Sequence, residues 1–121
     1  MKLELSIYGQ IRGGKNNMQM TRTGRHYPNP EWARYRDRVV RQLKEQVKGV
    51  YAPISVPCRV SISYWKGDLR KRDVPAILDS IWHCLERAEI IEDDCLIEDV
   101  DFSNIGLDRE DPRVDIILET K

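Results

Sequence analysis

Between Lys66 and Asp94 the chain sets a basic loop, an amphipathic helix and an acidic pair in close succession, and this stretch constrains the fold more than any other. Pro75 is tolerated in a first helical turn, where its missing N–H would be unpaired in any case. Asp73, just ahead of it, is placed to cap the helix and accept a free backbone donor. Behind it, Val74, Ile77, Leu78, Ile81, Leu85 and Ala88 recur at helical spacing and predict a buried stripe. Asp79, His83 and Arg87 fall four apart on a separate, polar face. Past Ala88 the pattern yields to Ile90 and Ile91, then Glu92-Asp93-Asp94, and a chain that folds back there brings Asp94 toward Asp73.

Carboxylates gathered at one point repel each other, and protonation or a cation must relieve the charge. Oxygen-only ligands suit a hard ion such as Mg²⁺. The stretch therefore reads as a divalent-metal phosphodiesterase centre, with the metal activating a water while Arg70, Lys71 and Arg72 hold the substrate backbone. The same residues admit a plainer reading: Asp73 only a cap, Asp79 and Glu86 solvated, Glu92 to Asp94 a surface turn. His83, one turn from Asp79, reads either as a proton carrier or as an ordinary surface histidine.

A length of 121 residues predicts one domain, 1–121, large enough for a real core. The net charge of zero conceals a division. Met1 to Lys48 carries 11 basic and 4 acidic residues, net +7, and Gly49 to Lys121 carries 9 and 16, net −7. Such asymmetry suits a basic surface facing a polyanion beside an acidic region that needs metal to tolerate it.

The opening residues alternate charged and apolar types, which predicts a strand and not a signal peptide, and no segment approaches transmembrane length. Cys58, Cys84 and Cys95 form no C-x-x-C pair, which fits reduced thiols in a cytoplasmic protein; with His26 and His83 they match no zinc-finger spacing. Gly9 to Asn16 misses the phosphate-binding loop pattern by one residue, Asn16 standing where Ser or Thr would hold Mg²⁺, and a turn at Thr23-Gly24 follows instead of a helix. Arg12, Lys15, Asn16, Asn17, Arg22 and Arg25 read instead as a mobile basic loop whose side chains reach phosphates, or as an ordinary exposed turn.

Asn29-Pro30-Glu31 is a strong helix start, with Trp32, Val39, Val40, Leu43 and Val47 as its buried side and Gly49 as its stop. Arg34, Arg38, Arg41, Lys44 and Lys48 make its other side basic, either a solvated face or a second DNA contact. Period-two alternation predicts strands at Cys58–Trp65, Cys95–Phe102 and Arg113–Glu119, with a loop over Ser103–Pro112. The expected fold class is α+β (mixed α/β): a small mixed β-sheet with two helices packed on one face, order β-α-β-α-β-β, its last two strands joined as a short antiparallel hairpin.

These residues resemble the RusA family of Holliday-junction resolvases, small phage-associated endonucleases. The resemblance covers almost the whole chain. It rests on the basic loop G-K-N-N-M, on R-T-G-R-H-Y-P-N-P-E-W-A-R-Y-R-D after it, on R-K-R-D at Arg70 to Asp73, and on E-R-A-E-I-I-E-D-D at Glu86 to Asp94. It implies a homodimer that binds Mg²⁺ through clustered aspartates and nicks two strands of a four-way DNA junction symmetrically; whether Mn²⁺ can substitute is left open by the sequence. By position it implies catalytic roles for Asp73, Asp93 and Asp94. Where the best-known members carry a second Asp, then Asn, this chain has Pro75 and Ala76, and Asp79 replaces a lysine further along the helix. Asp79 then becomes the candidate for the missing ligand, giving Asp73, Asp79 and Asp94 as the metal set with Asp93 assisting. Arg12 to Arg25 and Arg70 to Arg72 would engage phosphates. The departures also leave open a junction-binding protein with impaired catalysis, or a phage nuclease acting on other branched DNA.

Overall fold

The computed structural model describes residues 1–13, 18–20, 22–48 and 52–121. Its main sheet holds four strands: β1 (Lys2–Tyr8), β4 (Cys58–Lys66), β5 (Ile97–Leu107) and β6 (Arg113–Thr120). A separate two-stranded ribbon pairs β2 (Met18–Met20) with β3 (His26–Pro28) around a turn that includes Thr23 and Gly24, within the stretch expected to be a loop. Among the described residues two helices complete the fold, α1 (Pro30–Gln46) and α2 (Val74–Arg87). A small mixed sheet with two helices is the α+β architecture expected.

One face of the sheet is apolar because every second residue of three strands points the same way. Leu5 pairs with Ile116 and Ile7 with Val114, while across the other edge of β6 Val60, Ile62 and Tyr64 meet Leu118, Ile116 and Val114. All are at most 3% exposed. Ile77, Ile81 and Leu85 of α2 and Trp32, Val39 and Leu43 of α1 join them in one core. On the outer face Arg113 reaches the carboxylates of Asp108, Asp111 and Asp115 and lies 4.6 Å over the Trp65 ring.

α1 begins as its sequence directs: the Asn29 side chain accepts from the Glu31 and Trp32 backbone N–H groups, and Pro30 opens the first turn. It ends at Gln46, and its expected stop, Gly49, lies outside the described residues. α2 departs from expectation at its start. Asp73 occupies the cap position, but its side chain makes no capping hydrogen bond, and Val74 is 39% exposed while Ala76, Ser80 and Cys84 are buried. The buried stripe is therefore rotated away from Val74.

The expected terminal hairpin is not formed. The strand order is β1-β6-β4-β5, with β4 and β5 parallel and β6 antiparallel to both of its neighbours. Val114, Ile116 and Leu118 make β6 the strand with most to gain from a central place, whereas nearly all of β5 is exposed, as befits an edge. The link between them crosses the end of β4, where the Asp108 N–H donates to the Lys66 carbonyl and Pro112 crowds Gly67. β5 also starts later and runs further than expected, because Asp94–Leu96 forms a short 3-10 turn and the strand continues to Leu107.

Candidate metal centre and basic clefts

The end of α2 and the turn after it bring three carboxylates together. Oxygens of Glu86, Asp93 and Asp94 lie within 4.8 Å of one another. Local hydrogen bonds build the arrangement. Glu86 Oε1 accepts the Asp94 backbone N–H at 2.5 Å, and Asp93 Oδ1 accepts the Cys95 N–H at 2.9 Å, which caps the 3-10 turn. That N–H bond is the first cause holding the Asp93 carboxyl below the usual range. Asp94 is pushed the other way, first by partial desolvation and then by the negative charges of Glu86, Asp93 and Asp79.

The donor chemistry fits a hard divalent ion. Oxygens about 2.1 Å from an octahedral Mg²⁺ stand roughly 3 to 4.2 Å apart, a spacing compatible with this cluster. Glu86, Asp93 and Asp94 are the residues that would hold it.

Of the sequence candidates, Asp93 and Asp94 fall in this cluster, and Asp79 is near enough for its charge to act on Asp94. Glu86, read from the sequence as solvated, is instead a full member. Asp73 is not brought to it. At about 1.5 Å of helical rise per residue, roughly 20 Å of α2 separates Asp73 from Glu86, because α2 runs from one end of the sheet to the other and the chain does not fold back. His83 does not enter the cluster's oxygen set; its ring packs against Trp32 with centroids 5.9 Å apart.

The basic residues gather at the opposite end of α2. Arg70, Lys71 and Arg72 line a cleft of about 270 Å³ together with Lys66, Tyr64 and Asn104. The Asp68 carboxylate holds Arg72 at 2.9 and 3.1 Å. That carboxyl lies below its usual range, first because it accepts the Arg70 N–H and also because Arg72 is beside it. Arg12 pairs with Glu31 at 3.3 Å. Arg22 and Arg25 are exposed on the ribbon turn, and Lys15, Asn16 and Asn17 lie outside the described residues. The three cysteines are free thiols, Cys58 and Cys84 buried and Cys95 exposed. No described helix is long and apolar enough to cross a membrane.

No protein-family model matches the chain. It is similar to the crossover junction endodeoxyribonuclease RusA of Aquifex aeolicus (strain VF5), being 32% identical over 77 residues. The matched stretch is 64% of this chain and 60% of that protein. The likeness is to a protein that carries the name of the family whose motifs the sequence resembles, and it spans less than two thirds of that protein's length.

Proposed function

We propose, with that likeness as the premise, that the chain is a RusA-type, Mg²⁺-dependent, structure-selective DNA endonuclease that resolves four-way junctions by paired nicks. The observation that carries the reading is the convergence of Glu86, Asp93 and Asp94 beside Asp79 in a chain similar to a junction nuclease. A divalent cation held there supplies the charge that polarises a phosphodiester and acidifies a water. The chain's own residues do the rest. Glu86 and Asp93, each already anchored to a backbone N–H, fix the ligand oxygens, while Arg70, Lys71 and Arg72 engage neighbouring phosphates and orient the strand.

A homodimer supplies a role for Asp73. Among the described residues β5 is paired on one side only, and Val100 and Ile105 stand 46% and 47% exposed along it. If two copies pair antiparallel along β5 about its middle, the Ile97 end of one meets the Leu107 end of the other. The acidic cluster sits just before Ile97, and the Lys66–Asp73 loop leaves β4 beside Leu107. Each centre would then take Glu86, Asp93 and Asp94 from one copy and Asp73 from its partner. On the nuclease reading the chain would act where the DNA is, in the cytoplasm of a bacterial host, and the family resemblance suggests a phage or prophage origin.

The test is incubation of purified protein with a labelled synthetic four-way junction, with and without Mg²⁺. Symmetric paired nicks that need the metal and vanish in Asp94→Asn support the reading; nicks that persist in that variant contradict the site.

A second reading rests on α2's first turn. Where the resembled family carries acid and amide side chains, this chain has Pro75 and a buried Ala76 packed beneath Gly13, whose added Cβ would stand 3.0 Å from that of Ala76. A junction-binding protein without cleavage follows if that apolar turn removes an essential ligand. It predicts retained junctions in a gel shift and no product with any divalent ion.

A further inference from the structure

Resting on the nuclease reading, we propose that the concavity between the N-terminal loop, α1 and Arg72 is a seat for a DNA backbone phosphate, distinct from the acidic cluster and built chiefly by Arg34 and Arg38. It measures about 530 Å³, and Arg12, Arg34, Arg38 and Arg72 all line it, with Gln10 and Tyr35. Two of these arginines are already neutralised: Arg12 by Glu31 at 3.3 Å and Arg72 by Asp68 at 2.9 Å. Among the described residues no carboxylate stands within ion-pair distance of Arg34 or Arg38. Two uncompensated guanidinium groups facing one hollow repel each other until an anion joins them, and their planar forks match phosphate oxygens.

The hollow is built and not merely exposed. The Arg38 guanidinium is held over the Tyr35 ring at 5.5 Å and crowds Gly9, while the loop behind Arg12 rests on Ala76 at a point where only Gly13 fits closely. Tyr35 is 9% exposed, and its buried hydroxyl makes no hydrogen bond of ordinary geometry, although the Ser80 hydroxyl and the Arg12 backbone stand near enough to act on it. A buried hydroxyl that is poorly satisfied gains from a better acceptor, which an anionic oxygen entering the seat would supply. Burial pushes the Tyr35 pKa up to about 12, so at neutral pH the group keeps the proton it would donate.

A polymer fits better than a lone anion. Arg72 lines both this hollow and the neighbouring cleft with Lys66, Arg70 and Lys71, and Arg41 continues the cationic row along exposed α1. Successive phosphates of one strand can follow that track.

The experiment measures binding of a fluorescent four-way junction by anisotropy over a range of salt, with Ca²⁺ in place of Mg²⁺. Circular dichroism checks that each variant is folded. Arg34→Ala with Arg38→Ala should weaken binding at least about tenfold and lower the slope of log Kd against log salt by about two, one per lost phosphate contact. Arg34→Lys with Arg38→Lys, which keeps the charge but loses the fork, should still cost about fivefold. Tyr35→Phe should cost about threefold. Lysine variants that bind like the wild type, or a salt slope unchanged in the alanine variant, overturn the seat alone. A wild-type protein that ignores junction DNA overturns the nuclease reading and the seat with it.

Discussion

The Asp94 backbone N–H donates to Glu86 Oε1 across the turn that follows α2, so the acid that ends the helix also fixes where the next one stands. Glu86→Gln keeps an oxygen able to accept that bond but removes its charge. Junction cleavage should fall at least about 10- to 100-fold, the cost of losing even a residue that only supports a metal ligand. The melting temperature without metal should stay the same or rise, since like charges no longer oppose each other. Single-turnover cleavage and a thermal melt on the same preparation check both halves.

The acidic cluster sets a pH dependence whose sign follows from Asp94. Its carboxyl is raised in the folded chain, so the unfolded chain releases that proton more readily. The stability this group contributes is full below its unfolded value near 3.8 and is lost as pH rises through the folded value. At neutral pH the Asp94 charge therefore opposes folding, and Asp94→Asn should raise the melting temperature there, with the gain shrinking as pH falls toward 4. Adding Mg²⁺ should raise the wild-type melting temperature and leave the variant nearly unmoved.

If the centre is shared between copies, mixing two inactive proteins restores it. A heterodimer of Asp73→Asn with Asp94→Asn has one centre carrying both substitutions and one carrying neither. Co-refolding the pair should recover about half of the wild-type single-strand nicking per heterodimer, with few paired nicks. Continued inactivity after subunit exchange, verified by sedimentation, rules out the shared centre.

Two core residues report on the fold independently of DNA. Leu85 is fully buried, and Leu85→Ala should cost about 2 to 5 kcal/mol in urea unfolding. Tyr35→Phe removes a buried hydroxyl that makes no hydrogen bond of ordinary geometry, so the unliganded protein should stay within about 1 kcal/mol of the wild type. One substitution would thus leave the chain's stability nearly unchanged while weakening its grip on DNA, a separation that a purely structural tyrosine does not produce.

Local signals in the chain were direct. Asn29-Pro30-Glu31 marked the α1 start, and the period-two pattern at Cys58 marked β4, because caps and alternation are properties of adjacent residues. Strand order was not legible. Nothing adjacent in the chain states that β6 slips between β1 and β4, and short spacing made a hairpin look natural; the heavier apolar alternation of Val114, Ile116 and Leu118 beside the polar β5 was the available clue. Glu86 was missed because an exposed helical acid is usually solvated. Its position two turns after Asp79, on the same face and just ahead of Asp93 and Asp94, was the signal. Tyr35 was hidden among arginines, although Trp32, Tyr35 and Val39 share one helical face.

With β6, from the end of the chain, threaded between a strand from its beginning and one from its middle, the sheet has no stable half. Until that ribbon docks, β1 and β4 each expose an open apolar flank, and closure spans most of the polymer's contour, a slow event for so small a molecule. Proteolytic nicking at the Asp108–Pro112 crossing would thus be expected to unzip the molecule as a whole and not to trim one border.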